Sequence, residues 1–485
     1  MAIRTEGCLL ILFLAGATFV ALPRAAAQSS SPNSEQALRS FRFVATGAKG
    51  EPITDLRLEE IQVTDNGKRQ PLAFSRLLRT TQGAVTLGPR EVSNRGYDQF
   101  FSSTLLLLDL LNANITERGS AWNETIQSLG SLESAENVYL FLMTPDANLY
   151  PVHAWSPDPS DPPATPWTSR IRPLLNQALG VVEKIKPVDL TAAPGLTADP
   201  TYKALRTLGR QYAALPGQKR VIWVTNGIPL TVVGPNGTVY MDFRPELKQT
   251  GEEFSRLGIS LYTVHQQDRS AEGINTQETL QSLPPLTGGR WFENDALGQA
   301  VTQARNDARA TYQAGYSATA KDEDGKFHKL RVTTTRKNVR ILAAEGYTAD
   351  PPDAVAKNTL DLVASRPFDT PDIGLRVSFA DAGANTRVLI RVDPRDLALQ
   401  HAGNSYAGAF SSVVLYFNAE GQVSTSAPIV TKVSLNQEQL DAAIKNGYLV
   451  TADEAIPSGS RRARLLVQDD ASGTAGSLSF PLPSP

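Results

Sequence analysis

Three uninterrupted apolar runs constrain this chain most: Leu105–Leu108, Val138–Met143 and Val221–Val224. A strand with one face in water alternates apolar and polar residues, whereas a run with no alternation belongs to a strand covered on both faces. Helical patterns stand between these runs, over 117–133, 167–186, 201–214 and 244–257, and a further helix ends near Arg309. Ile259–Val264 and Arg290–Phe292 supply two more strands. Strands alternating with helices predict βαβ crossovers, so the fold class expected is α/β, with a doubly wound, mostly parallel sheet. In such sheets ligands bind beyond the carboxyl ends of the strands. Asp109, Thr144, Asn226 and His265 stand at those ends.

The flanks read differently. Phe41–Ala45, Ile61–Thr64 and Leu72–Phe74 are short strands, and Asp65-Asn66-Gly67 supplies the positive φ angles of a tight hairpin turn. A β module of this size is too small to be very stable alone. After the last helix, Tyr312–Ala318, Leu330–Thr335 and Val339–Leu342 return to β character, and Tyr312, Tyr316 and Tyr347 put aromatic bulk on them. The two β segments are therefore expected to pack together, with the α/β region inserted between them. Short alternating runs beyond residue 373 (Leu375–Phe379, Val388–Val392, Val413–Phe417, Ala463–Val467, Ser477–Leu482) suggest an antiparallel β-sandwich.

The N-terminus reads as an export signal. Arg4 precedes the apolar stretch Cys8–Leu22, and Ala25-Ala26-Ala27 precedes Gln28. That stretch is shorter than the ~20 residues of a membrane span. The organisation expected is then a signal peptide at 1–27, a linker at 28–37, a β module at 38–82, the α/β domain at 98–310, a β extension at 311–350, a linker or helix at 351–372 and a sandwich at 373–485. The single cysteine lies in the signal, so the mature chain has no cysteine chemistry. Localisation is expected to be periplasmic or extracellular, with no transmembrane span in the mature chain.

Composition removes several functions. Lys and Arg total 47 against 49 Asp and Glu, which leaves no basic field for nucleic acid. The four histidines, His153, His265, His328 and His401, are too scattered for a zinc cage. No nucleophile elbow, phosphate loop, zincin helix or dinucleotide fingerprint occurs. Asp322-Glu323-Asp324-Gly325 lacks the spacing of a calcium loop and reads as a charged turn. Arg461-Arg462 reads as an exposed loop pair. Asn114, Asn123 and Asn236 begin glycosylation patterns that matter only in a eukaryotic secretory route.

The ordered series Pro52–Leu56, Leu105–Asn112, Leu215–Trp223, Gly258–Val264, Thr287–Arg290, Gly315–Ser317 and Glu345–Ala349 resembles the Acidobacteria-type exported VWFA-related proteins. These are built around a von Willebrand factor type A domain. The resemblance implies a Mg²⁺ adhesion site with two acidic and three hydroxyl ligands. Asp109 matches the first Asp, and Thr201 matches the Thr. Leu111 and Ala113 stand where the two serines belong, and Asn226 replaces the last Asp. Asn112 and Asn114 are nearby oxygen donors off the motif spacing. One carboxylate is weak compensation for dehydrating Mg²⁺, so the site is expected to be degenerate and no cofactor is expected. The function expected is exported, non-enzymatic protein binding, adhesion or scaffolding, with an unidentified protein as partner. The alternatives are Mg²⁺-dependent adhesion through a variant site, and an exported hydrolase with its site between domains.

Overall fold

The computed structural model describes residues 37–482, apart from 79–80, 83–86, 89, 96–98, 101, 113–136, 156–170, 183, 186–194, 216, 234–235, 266–275, 294–295, 319–323, 350–362, 365–368, 383–384 and 453–455. The proposed signal and linker, Ala113, Asn114, Asn123, the helix expected at 117–133 and nearly all of that at 354–366 lie outside the described residues.

The two flanking β segments are interleaved. Ala37–Gly47 pairs antiparallel with Thr311–Ala318 on one side and Val339–Ala343 on the other. Leu72–Leu77 completes this sheet against Thr311–Ala318. A second sheet joins Ile61–Asp65 to Phe327–Thr334, again across the full length of the intervening domain. The sequence alternation puts Phe43, Ala45, Val63, Tyr312, Tyr316 and Val332 into the one core between them. Phe43 and Tyr312 stack with ring centroids 5.2 Å apart. The Asn66-Gly67 turn has φ values of 45° and 81°, which only such residues adopt cheaply.

The inserted region holds a six-stranded sheet in the order Leu149–His153, Asn137–Met143, Ser102–Asp109, Gln218–Thr225, Ile259–His265, Trp291–Phe292. All neighbours are parallel except the antiparallel edge Leu149–His153. Leu105, Leu107 and Trp223 face a core shared with helices Ala198–Ala213, Arg244–Arg256 and Gln277–Thr287. Leu106, Leu108 and Ile222 face the other side, with Ile171–Val182 and Leu297–Arg309.

The expected fold class nevertheless needs correction. Among the described residues there are seven sheets, and only this one contains parallel pairs. The chain is predominantly an antiparallel β protein, not a doubly wound α/β fold. The expectation took the class from the most apolar runs. Those runs mark the few strands covered on both faces, while the more numerous half-covered strands leave a weaker, alternating signal.

Residues 373–482 form two antiparallel sheets over one core that includes Leu375, Ile390, Phe410, Leu465 and Phe480. The loop pair expected at Arg461-Arg462 is instead part of strand Ser460–Asp469, with Arg462 over the Phe417 ring. The segment before the central sheet is bound into this C-terminal unit. Val92–Ser93 adds a strand beside Arg376–Val377. The Asn94 amide donates to the carbonyls of Thr370, Ile373 and Ser477 and accepts from the Leu375 amide. Buried Arg95 pairs with Asp396 at 2.8 Å and Asp393 at 3.3 Å. The β base meets the same unit through Phe74 against Ala398 and Ala471.

Candidate functional site at the carboxyl ends of the central strands

Asp109 ends strand Ser102–Asp109, and Thr225 ends the neighbouring Gln218–Thr225. Parallel register places these ends side by side. Asp109 is 2% exposed. Its Oδ1 accepts from the Asn112 amide at 3.0 Å. Its Oδ2 accepts from Asn112 Nδ2 at 2.7 Å, Thr225 Oγ1 at 2.7 Å and Trp223 Nε1 at 3.1 Å. Burial pushes the carboxyl pKa above its ordinary value, and the Asn112, Thr225 and Trp223 donors pull against that rise.

Thr201 lies on helix Ala198–Ala213, fully buried, and its hydroxyl donates to the Thr197 carbonyl at 2.6 Å. The same hydroxyl accepts from Asn112 Nδ2 at 3.0 Å. One amide nitrogen thus bridges Asp109 and Thr201, the place between carboxylate and hydroxyl where a cation would bind. Asn226 follows Thr225 at the turn. Its carbonyl accepts from Thr276 Oγ1 at 2.6 Å, and the Gly227 amide donates to Thr225 Oγ1 at 3.0 Å. Gly227 has φ +82°, and an added Cβ would stand 2.6 Å from the Thr276 carbonyl oxygen. Among the described residues, the buried side-chain oxygens of Asn112 and Asn226 find no hydrogen-bond partner.

The structure therefore brings Asp109, Asn112, Thr201 and Asn226 to one end of the sheet. These residues do not fit Mg²⁺. Hard cations need several free oxygens, with negative charge among them. Here the one carboxylate is already taken by four donors, and a nitrogen occupies the bridge. Trp223 and Thr225 are the members that sequence reasoning missed. Both lie on an apolar run where alternation gave no reason to separate them from the core, although Thr225 directly precedes Asn226.

The other predicted end residues stand apart from this cluster. Thr144 bonds within its own turn, to the Asn148 carbonyl at 3.0 Å. His265 is half-buried at the end of Ile259–His265. His328, in the β base, lies between Asp65 at 2.9 Å and Asp324 at 3.2 Å. The Asp65 carboxylate also accepts from Tyr316 and Tyr347, each at 2.8 Å. Asp65, Tyr316 and His328 are buried in the core between the two base sheets, with Asp324 at its exposed edge, and every member is bonded.

Beside the Asp109 cluster a two-stranded hairpin, Thr231–Val233 with Val239–Asp242, leaves the sheet. It holds Val233, Val239, Tyr240 and Met241 well exposed, Tyr240 at 66%. A Cβ added at Gly195 would touch Val232 and Met241, so the chain at Gly195 lies against the hairpin, and the next residue, Leu196, is exposed.

No protein family matches the chain, and no curated protein matches it. Among solved structures the chain is similar to the pilus adhesin SpaC from Lactobacillus rhamnosus GG in two forms. One match has 11% identity, a TM-score of 0.29 and covers 83% of this chain and 58% of the adhesin. The other, an open conformation, has 9% identity and a TM-score of 0.29, covering 89% and 57%. The chain thus spans less than two thirds of either adhesin, and at that TM-score the likeness carries no weight for fold or function. No helix among the described residues is long and apolar enough to cross a membrane.

Proposed function

We propose that this is an exported, non-enzymatic protein-binding or scaffolding protein that works without a metal ion. The observation that carries the reading is the apolar hairpin 231–242 at the carboxyl end of the central sheet. Contiguous exposed apolar surface on a soluble face is a mark of contact with another protein. Aromatic and methionine side chains are the types that anchor such contacts. The Asp109 cluster supports the turn from which the hairpin departs, through Thr225 and Gly227. With its carboxylate taken by four donors, it offers no free carboxylate as a general base. The partner is a protein presenting a complementary apolar surface.

Two measurements test this. Thermal unfolding in Mg²⁺, Mn²⁺ and EDTA is expected to be identical; a ligand at 100 times its Kd adds about 2.7 kcal/mol, so a metal-dependent rise in Tm defeats the metal-free reading. Binding partners captured from periplasm or culture medium are expected to be lost with Tyr240→Ser plus Met241→Ser and kept in EDTA. Retention by the double variant defeats the hairpin as the contact surface.

A further inference from the structure

The opposite, amino-terminal ends of the same strands open on a cavity of about 350 Å³ between the β base, the central sheet and the turn Ser472–Thr474. Its wall is rich in cations. Arg220 is 3% exposed and donates to Ser102 Oγ at 3.1 Å and Gln218 Oε1 at 2.6 Å, both neutral. Arg42, from strand Ala37–Gly47, lines the cavity and is exposed. Among the described residues its guanidinium makes no hydrogen bond or close ion pair. Its pKa is drawn below the ordinary value by burial, against the opposing pull of the Asp372 carboxylate, and Arg220 adds a smaller lowering. Arg39 stands on the same wall, over the Tyr347 ring at 4.9 Å. The one acidic side chain on this wall, Glu252, is already paired with Lys248 at 3.8 Å.

A buried cation bonded only to neutral groups, as Arg220 is among the described residues, is costly, and the neighbouring charge of Arg42 adds to that cost. Folded proteins keep such groups where a ligand supplies the missing charge. We propose that this cavity binds a small organic anion through Arg42 and Arg220, its oxyanion head being a carboxylate or a phosphate. The planar guanidinium fork matches both heads in a two-bond geometry. Gln313, Ser260 and Thr474 add polar atoms to the wall, while Ile259, Leu286 and Phe327 suit an apolar body. The volume is in the range of small-molecule sites, roughly 300–1,000 Å³.

The test uses the full chain at constant ionic strength, with citrate, phenyl phosphate and inorganic phosphate against sodium chloride. Thermal unfolding and calorimetric titration are the readouts. Tm is expected to rise with at least one oxyanion beyond chloride, and Arg42→Met is expected to weaken that anion's Kd at least tenfold. Without anion, Arg42→Met is expected to stay folded, because the side chain it replaces is exposed, so a lost response reports on binding. A phosphate-only or carboxylate-only response assigns the head group within the proposal. The idea is overturned if no oxyanion exceeds chloride, or if Arg42→Met keeps the same affinity.

Discussion

The two ends of the central strands treat buried charge in opposite ways. At the carboxyl end one carboxylate, Asp109, is surrounded by four donors drawn from Asn112, Trp223 and Thr225. At the amino end Arg220 bonds only to neutral oxygens among the described residues and shares a cavity wall with Arg42, on which the Asp372 carboxylate acts. Both ends are built by Ser102–Asp109 and Gln218–Thr225, so the difference is one of side chains and not of backbone. A charge satisfied from within holds structure together. A charge left for an outside partner is an invitation to bind. By that criterion the end where a parallel sheet ordinarily takes its ligand is closed here, and the other end is open.

The largest effect expected is at the closed end. Asp109→Ala strands the Trp223, Thr225 and Asn112 donors in the core and should cost about 3–5 kcal/mol, read by urea denaturation. A cost under about 1 kcal/mol would mean the carboxylate is not the hub of that end. Thr225→Val keeps shape but removes one donor to Asp109 and the acceptor for the Gly227 amide. It should cost about 1–2 kcal/mol, and a neutral result would show that the turn is held by other contacts.

A smaller and more diagnostic effect is the pH dependence. Burial raises the folded pKa of Asp109 above its unfolded value. Between those two values the native state binds more protons than the unfolded one, so this group's contribution falls as pH rises through that window. Asp109→Asn should remove that component from the curve of Tm against pH, and parallel curves for parent and variant would contradict the assignment. Glu60 gives the opposite sign. Its bonds to Arg336 hold its pKa down to about 2, against an unfolded value of 4.5. Its contribution is present above 4.5 and is lost as pH falls toward 2, so Glu60→Gln should flatten only the acid limb. An unchanged acid limb would show that the Arg336 pair adds nothing measurable, which is common for exposed ion pairs.

What the sequence made legible follows from how local each signal is. The apolar runs located the central strands, because burial on both faces is written into consecutive residues. Asp109 at the end of such a run marked the carboxyl-end cluster. The Asn66-Gly67 turn was readable because its backbone geometry selects its residues. The fold class was misread for the same reason: consecutive apolar residues are conspicuous, and the alternating strands that make up most of the sheets are not. Arg220 was invisible as a site residue, since one charge at the start of an apolar run reads as a strand margin. Its meaning depends on Arg42, which comes from a strand of another module. Val92–Arg95 reads as a turn-rich connection, and nothing in its own composition signals that its partners lie beyond residue 369.

That last connection has a consequence for the order in which the chain can become native during synthesis. Asn94 bonds to the Ser477 carbonyl, 383 positions later, and Arg95 pairs with Asp393 and Asp396. Strand Ala37–Gly47 likewise waits for Thr311–Ala318. A nascent chain therefore cannot finish its first module when that module leaves the ribosome, nor when the central sheet is made. The segment around residue 94 lacks its full set of native partners until residue 477 has emerged. Contacts this distant slow folding. The architecture thus imposes a long interval between the synthesis of these early segments and their closure by strands beyond residue 460.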